Sequence, residues 1–175
     1  MIRPFAAGDE AALLALNESN VPEVGPMSAD KLALFARISP FFEVVEIDDQ
    51  VVGMLIGLTE QQTEYSSPNY QWFSRRHQRF AYVDRIALAP STRGQGWGPE
   101  LYRRFEGWAH DNDKPFLCAE VNTVPANPRS MRFHELFGFA DVGRCRPYGP
   151  DEEVAMVEKV VPPRSTLGRS DAGSE

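Results

Sequence analysis

The feature that most constrains this chain is the run Ile86-Ala87-Leu88-Ala89-Pro90-Ser91-Thr92-Arg93-Gly94-Gln95-Gly96-Trp97-Gly98. An apolar, strand-like stretch ends at a proline, glycines then fall at alternate positions, and a helical pattern opens around Pro99. A strand that turns through glycines into a helix leaves backbone N–H groups free at the helix N-terminus, where they and the helix dipole bind phosphate. Glycines let the backbone approach the anion closely, and Arg93 adds a fixed cation. Two other phosphate loops do not fit. The P-loop ends in Gly-Lys-Ser/Thr, whereas this run ends in Gly98-Pro99-Glu100. The dinucleotide fingerprint needs two residues between its second and third glycines, and here only Trp97 separates Gly96 from Gly98.

The rest of the chain gives this loop a setting. Met1–Phe5 reads as a first strand, and Asp9 precedes the helix-forming run of residues 11–16. Ser28 is suited to cap a second helix that Pro40 closes. The apolar runs 41–47 and 51–59 flank Asp48-Asp49-Gln50 as a hairpin. Residues 60–79 read as polar, aromatic and irregular. Strands are expected at 80–88, 116–121, 139–142 and 154–160. Leu101, Phe105, Trp108 and Ala109 stripe the helix after the glycine loop. A further helix starts with Asn127 as cap and Pro128 as first residue, and ends at Gly138. Residues 162–175 are rich in Ser, Gly and Pro, which predicts a disordered tail after a single domain spanning 1–161.

Composition narrows the function. A chain of 175 residues is long enough for one domain with a real core. The formal net charge of −7 argues against a nucleic-acid binder. Cys118 and Cys145 form neither a disulfide framework nor a Cys-x-x-Cys pair, so a reduced cytoplasmic setting is the default. No signal peptide or membrane span is read. His77, His110 and His134 show no ligand spacing with either cysteine, so no metal site is expected.

The glycine run resembles the acetyl-CoA signature of the GNAT acetyltransferase superfamily: an apolar strand, a proline, then Arg-Gly-x-Gly-x-Gly/Ala. Asn127, Ser130 and Phe133-His134-Glu135-Leu136-Phe137-Gly138-Phe139 resemble the superfamily's last helix. Tyr65–Phe73 and Tyr82-Val83-Asp84-Arg85-Ile86 further resemble an uncharacterised bacterial subgroup of predicted GNAT enzymes. The resemblance implies a mixed α/β fold: a mostly antiparallel seven-stranded sheet, splayed between its fourth and fifth strands and flanked by about four helices. It implies acetyl-CoA in the gap. Backbone groups of Ile86 and Leu88 would bind pantetheine, Arg93, Gly94, Gln95, Gly96, Trp97 and Gly98 the pyrophosphate, and Asn127 with Ser130 the far side of the cofactor. The acceptor would be a small amine or a peptide amino terminus; a homodimer is left open.

Direct acetyl transfer needs a base for the amine, whose free pKa lies near 10.4 for an alkylammonium, and a donor for the leaving thiolate. Glu120 and Asp84, on the two central strands, are the candidate bases. The competing reading for Asp84 is an ion pair with an arginine such as Arg85, and for Glu120 an outward-facing strand residue. His134 stands where many family members carry tyrosine. It shares a helix face with Asn127 and Ser130, and Phe133, Leu136 and Phe137 are expected on the opposite, buried face. His134 is therefore either the donor to sulfur or a helix residue with a local hydrogen bond. Tyr70 and Trp72 are candidates for the wall of an acceptor pocket. The alternative to an enzyme is a non-catalytic acyl-CoA-binding or regulatory module, kept open by the missing tyrosine. A transferase acting on charged tRNA is disfavoured by the acidic charge.

Overall fold

A computed structural model describes residues 1–163; the expected tail lies, from position 164 onward, outside the described residues. The strands are β1 (Ile2–Pro4), β2 (Phe41–Ile47), β3 (Gln50–Thr59), β4 (Ala81–Leu88), β5 (Phe116–Val124), β6 (Ala140–Cys145) and β7 (Glu153–Val160). They form one seven-stranded sheet in the order β1-β2-β3-β4-β5-β7-β6. Every neighbouring pair is antiparallel except β4 and β5. The β2–β3 hairpin turns at Asp48 and Asp49, whose φ angles are 49° and 58°. Two consecutive positive φ values match the twist of the flanking strands, and Asp tolerates them.

Helices cover both faces. On one, α1 (Glu10–Glu18), α2 (Ala29–Ile38) and α3 (Pro68–Arg76) bring Leu13, Leu32, Phe35 and Phe73 against Val44, Ile56 and Tyr82. On the other, α4 (Trp97–Asp111) and α5 (Pro128–Phe137) bury Leu101, Tyr102, Phe105 and Ala109 against Val45, Leu55 and Leu117. These are five helices where about four were expected. The extra one is α3, inside the stretch read as irregular. Its start is encoded locally: the Ser67 hydroxyl accepts from the Tyr70 N–H, and Pro68 fills the first turn, where a missing N–H costs nothing. Tyr70 and Phe73, one turn apart, bury together on the sheet.

Two features make the cleft. First, β4 and β5 pair only at Ala81–Leu117 and Tyr82–Cys118. Beyond Tyr82 the strands diverge, and the β5-facing edge of β4 has no strand partner. Second, β4 carries a bulge. Arg85 pairs with Ile56 and Val83 with Gly57, so Asp84 has no opposite number on β3. Strand alternation would put Asp84 and Arg85 on opposite faces. The extra residue turns both toward the α1–α3 side, where Asp84 meets Tyr65 and Arg85 meets Asn17.

Candidate active site

A cavity of about 920 Å³ fills the gap between the diverging strands. One mouth is the glycine loop. Gly94 and Gly96 have φ of 79° and 87°, and a Cβ at either would meet nothing within 4 Å. Gly96 is the left-handed N-cap of α4, so the helix starts at Trp97, two residues before the expected Pro99. The N–H groups of Gly94, Gly96, Trp97 and Gly98 reach no acceptor among the described residues. The protein thus leaves open a concave row of donors at a helix N-terminus, which fits a phosphate group. Arg93 lines the cavity and donates to Asn20 Oδ1 at 2.9 Å; Asn20 in turn donates to the Leu88 carbonyl at 3.2 Å. This link ties the α1–α2 connection to the end of β4. Ile86, Leu88, Asn127 and Ser130 also line the cavity, with Arg129 added. The side chains of Gln95 and Trp97 do not line it: Gln95 bonds back to the Ser91 carbonyl, and Trp97 packs toward the core.

Opposite this cradle lies a polar cluster. Glu120 lines the cavity and accepts from the Tyr82 hydroxyl at 2.7 Å and from Asn69 Nδ2 at 3.2 Å. Burial, reinforced by the nearby Asp84 charge, pushes its carboxyl up to about 7, although the bonds from Tyr82 and Asn69 pull the other way. Glu120 is therefore not an outward-facing strand residue. Asp84 is engaged on both oxygens: the Tyr65 hydroxyl donates to one and Arg85 Nε, at 2.9 Å, to the other. Arg85 is itself held by Asn17 Oδ1 at 2.6 Å and the Gly25 carbonyl at 3.1 Å. One Asp84 oxygen is thus taken by the buried Arg85 and the other by Tyr65, the ion-pair arrangement, and its charge lies close enough to act on Glu120.

His134 is the buried residue of α5, 4% exposed, whereas Leu136 is 71% exposed. The expected apolar face of this helix is thus corrected: Phe133 and Phe137 pack on the core and Leu136 does not. The ring's hydrogen bonds settle its tautomer. Nδ1 lies 2.8 Å from the Ser130 carbonyl oxygen, which can only accept, so Nδ1 carries the proton. Nε2, 2.8 Å from the Tyr102 hydroxyl, is then the acceptor. Burial pushes the imidazole below its usual value and the Tyr102 phenol well above its own, so both are neutral. The position where the resemblance implies a tyrosine holds a histidine here, and a phenol meets it from α4 instead.

Two expected residues lie elsewhere. Tyr70 is buried, its hydroxyl donating to the Thr59 carbonyl at 2.6 Å. Trp72 packs on Phe73 and against Gly143 of β6. Neither lines the cavity; Tyr65, Ser67 and Asn69, from the same segment, do. Helical spacing explains the exchange, because α3 turns residues 70 and 73 down onto the sheet and leaves its first turn at the cleft. The fold also joins residues that no spacing links. His77, Cys118 and Glu158 place ligand-type atoms within 4.8 Å of one another, away from the cleft. Glu158 there already accepts from His77 and twice from Arg76.

A mixed sheet split at its parallel pair, with a left-handed glycine cradle at one mouth, is the architecture of the GNAT class. The Acetyltransferase (GNAT) family model matches residues 12–139, and the chain belongs to that family. None of the curated proteins matches. Among solved structures, the chain is similar to Ard1 from Thermoplasma volcanium (TM-score 0.74, 20% identity, covering 92% of this chain and 97% of that one). It is also similar to Chaetomium thermophilum Naa20 in complex with a bisubstrate analogue (TM-score 0.72, 21% identity, 92% and 86% covered). A third is the ribosomal-protein-S18-alanine N-acetyltransferase from Escherichia coli (TM-score 0.72, 16% identity, 97% of each chain). At these identities the likeness speaks for the fold. Among the described residues no helix is long and apolar enough to cross a membrane.

Proposed function

We propose that this chain is an acetyl-CoA-dependent N-acetyltransferase acting on a primary amine. The observation that carries the reading is a single cavity with a phosphate-type cradle at one end and a carboxyl group raised to about 7 facing it. Acetyl-CoA would supply the acetyl group as an activated thioester. Gly94, Gly96 and the first turn of α4 would hold the pyrophosphate, with Arg93 beside it. The unpaired edge of β4 at Ile86 and Leu88 would bind the pantetheine amides, and Asn127 and Ser130 would lie along its far side. Glu120 would take the proton that the amine nitrogen sheds as it forms its new bond to the acetyl carbon. Tyr82 and Asn69 hold the carboxylate in place for that step.

The proton for the leaving sulfur is assigned to the Tyr102–His134 pair. As the ring stands, Nε2 accepts the one hydrogen of the Tyr102 hydroxyl, so His134 orients the phenol, and for Tyr102 to protonate the sulfur its O–H must turn from the ring to the departing thiolate. A phenol in the cleft weakens the alternative of a non-catalytic module, which rested on the absence of tyrosine at position 134. His134→Phe should leave the Tyr102 hydroxyl buried without a partner and destabilise the fold by about 1–3 kcal/mol. It should also lower kcat by about 10- to 1000-fold, with CoA binding nearly unchanged. The double variant His134→Phe/Tyr102→Phe separates the two effects. It should recover stability, since no hydroxyl is stranded, but not kcat. Recovery of both would reduce the pair to packing. The reaction itself is tested by following CoA release from acetyl-CoA with a panel of small amines, free amino acids and peptides. Hydrolysis alone, with no amine-dependent release, would count against the reading.

A further inference from the structure

We propose, on the transferase reading above, that the acceptor is a small amine that also carries a carboxylate, a free amino acid in chemical type, with Asn69 and Glu120 taking its amine and Lys31 its carboxylate.

The first observation is an ammonium without a counter-ion. The chain has three lysines. Lys114 is paired with Glu60 at 2.5 Å and Lys159 with Glu106 at 2.7 Å. Lys31, on the first turn of α2, has no side-chain hydrogen bond or ion pair among the described residues; its Nζ sits 5.7 Å from the Phe35 ring centroid. It is not a solvated surface lysine either, for it is half-buried and lines the cavity. Burial lowers its pKa even though the nearby Asp84 and Glu120 charges oppose the shift, while Arg85 adds to it. A half-buried cation kept near the amine-binding carboxyl, but outside ion-pair distance of any carboxylate among the described residues, is suited to a negative charge that arrives with the ligand.

The second observation is independent of the first. Three buried side-chain polar atoms lack a hydrogen-bond partner among the described residues: Ser39 Oγ, Asn69 Oδ1 and Trp97 Nε1. Of these residues only Asn69 lines the cavity. It is 5% exposed, and its Nδ2 is committed to Glu120, which fixes the amide with Oδ1 as a free acceptor. Leaving such an atom unpaired is unfavourable. That oxygen is closed to solvent as the side chain stands, so an incoming amine meets it only as the Asn69 amide turns toward the cavity, which sets the amine nitrogen next to the Glu120 carboxylate. The cavity thus offers a base for an amine, with an acceptor beside it, and a cation for a carboxylate, in one cleft shared with the cradle. A peptide amino terminus supplies the amine but replaces the neighbouring carboxylate with an uncharged amide, which leaves Lys31 unmatched.

Matched ligands test this. Each standard amino acid is compared with its own carboxamide and with the tripeptide that carries it ahead of two alanines. Binding to the CoA-loaded protein is measured by calorimetry and turnover by CoA release. The free acids of at least one side-chain class should bind about 10- to 100-fold tighter than their amides, the range of one charge-assisted hydrogen bond. Lys31→Met should raise the KM of the acid by a similar factor and narrow the gap to the amide, and Lys31→Arg should restore most of the preference. Amides or tripeptides that bind as well as the acids would overturn the proposal, as would equal losses for acid and amide in Lys31→Met. If no compound of this set or of the wider amine panel is acetylated, the transferase reading fails, and the binding preference in the CoA-loaded protein still decides the question of the carboxylate.

Discussion

Glu120→Gln should lower kcat/KM at pH 7 by about 100- to 10,000-fold, the span of a lost general base, and the deficit should shrink as the pH rises. Below about 7 the wild-type carboxyl is itself protonated and cannot accept, so wild-type kcat/KM should climb through that region and then level. The variant should lack this inflexion. Its rate should follow the free amine fraction alone, rising toward the pKa of the acceptor, about 7.7–8.0 for an α-amine and 10.4 for a lysine-type amine. The substitution is gentle structurally: the Gln carbonyl still accepts from Tyr82, and a flip of the Asn69 amide turns its unpartnered Oδ1 to accept from the new NH2. Stability gives a second readout. A carboxyl whose folded-state pKa is raised binds more protons folded than unfolded between about 4.5 and 7. Its contribution is fully present below that window and lost as pH rises through it. Glu120→Gln should therefore gain in Tm relative to wild type between pH 5 and 8. An unchanged pH–rate profile would remove Glu120 from the chemistry.

What the sequence disclosed about this site follows from the range of the interactions involved. The cradle was legible because it is local: strand, glycines and helix are contiguous, and positive φ at Gly94 and Gly96 is met by residues that tolerate it. The start and stop of α5 were legible for the same reason, Asn127 capping through Ser130 N and Gly138 closing at φ 96°. Helix α3 carried an equally local signal in Ser67-Pro68, and the density of polar residues around it obscured the two buried aromatics. The carboxylate cluster was only half legible. That Asp84 and Arg85 share a face depends on a bulge set by pairing with Ile56 and Gly57, which no periodicity within β4 reveals. Lys31, Asn69 and Tyr102 come from three different helices. Each reads in the sequence as an ordinary helix residue, and only the splay of β4 from β5 makes them neighbours of one cavity.

The cradle is where the largest loss of binding is expected. Gly96→Val should weaken CoA binding by at least about 100-fold, or about 2.7 kcal/mol. Two causes add. Position 96 sits at φ 87°, in the left-handed region where a β-branched residue is strained, so the loop shifts or stores that strain. No protein atom lies within 4 Å of the added Cβ and Gly96 lines the cavity, so a side chain there takes up open space beside the N–H row. Each charge-assisted hydrogen bond displaced there is worth about 1.5–3 kcal/mol. Because the same space is free of protein, the variant should fold, with a modest fall in Tm from the backbone strain. Gly8→Val is the matched control. Gly8 has φ 105° and likewise nothing within 4 Å of a Cβ, but it does not line the cavity. It should lose comparable stability and keep its CoA affinity. Calorimetry on both proteins isolates the cradle from the strain: equal affinities in the two variants would show that positive φ alone, and not access to the N–H row, is what glycine provides at position 96.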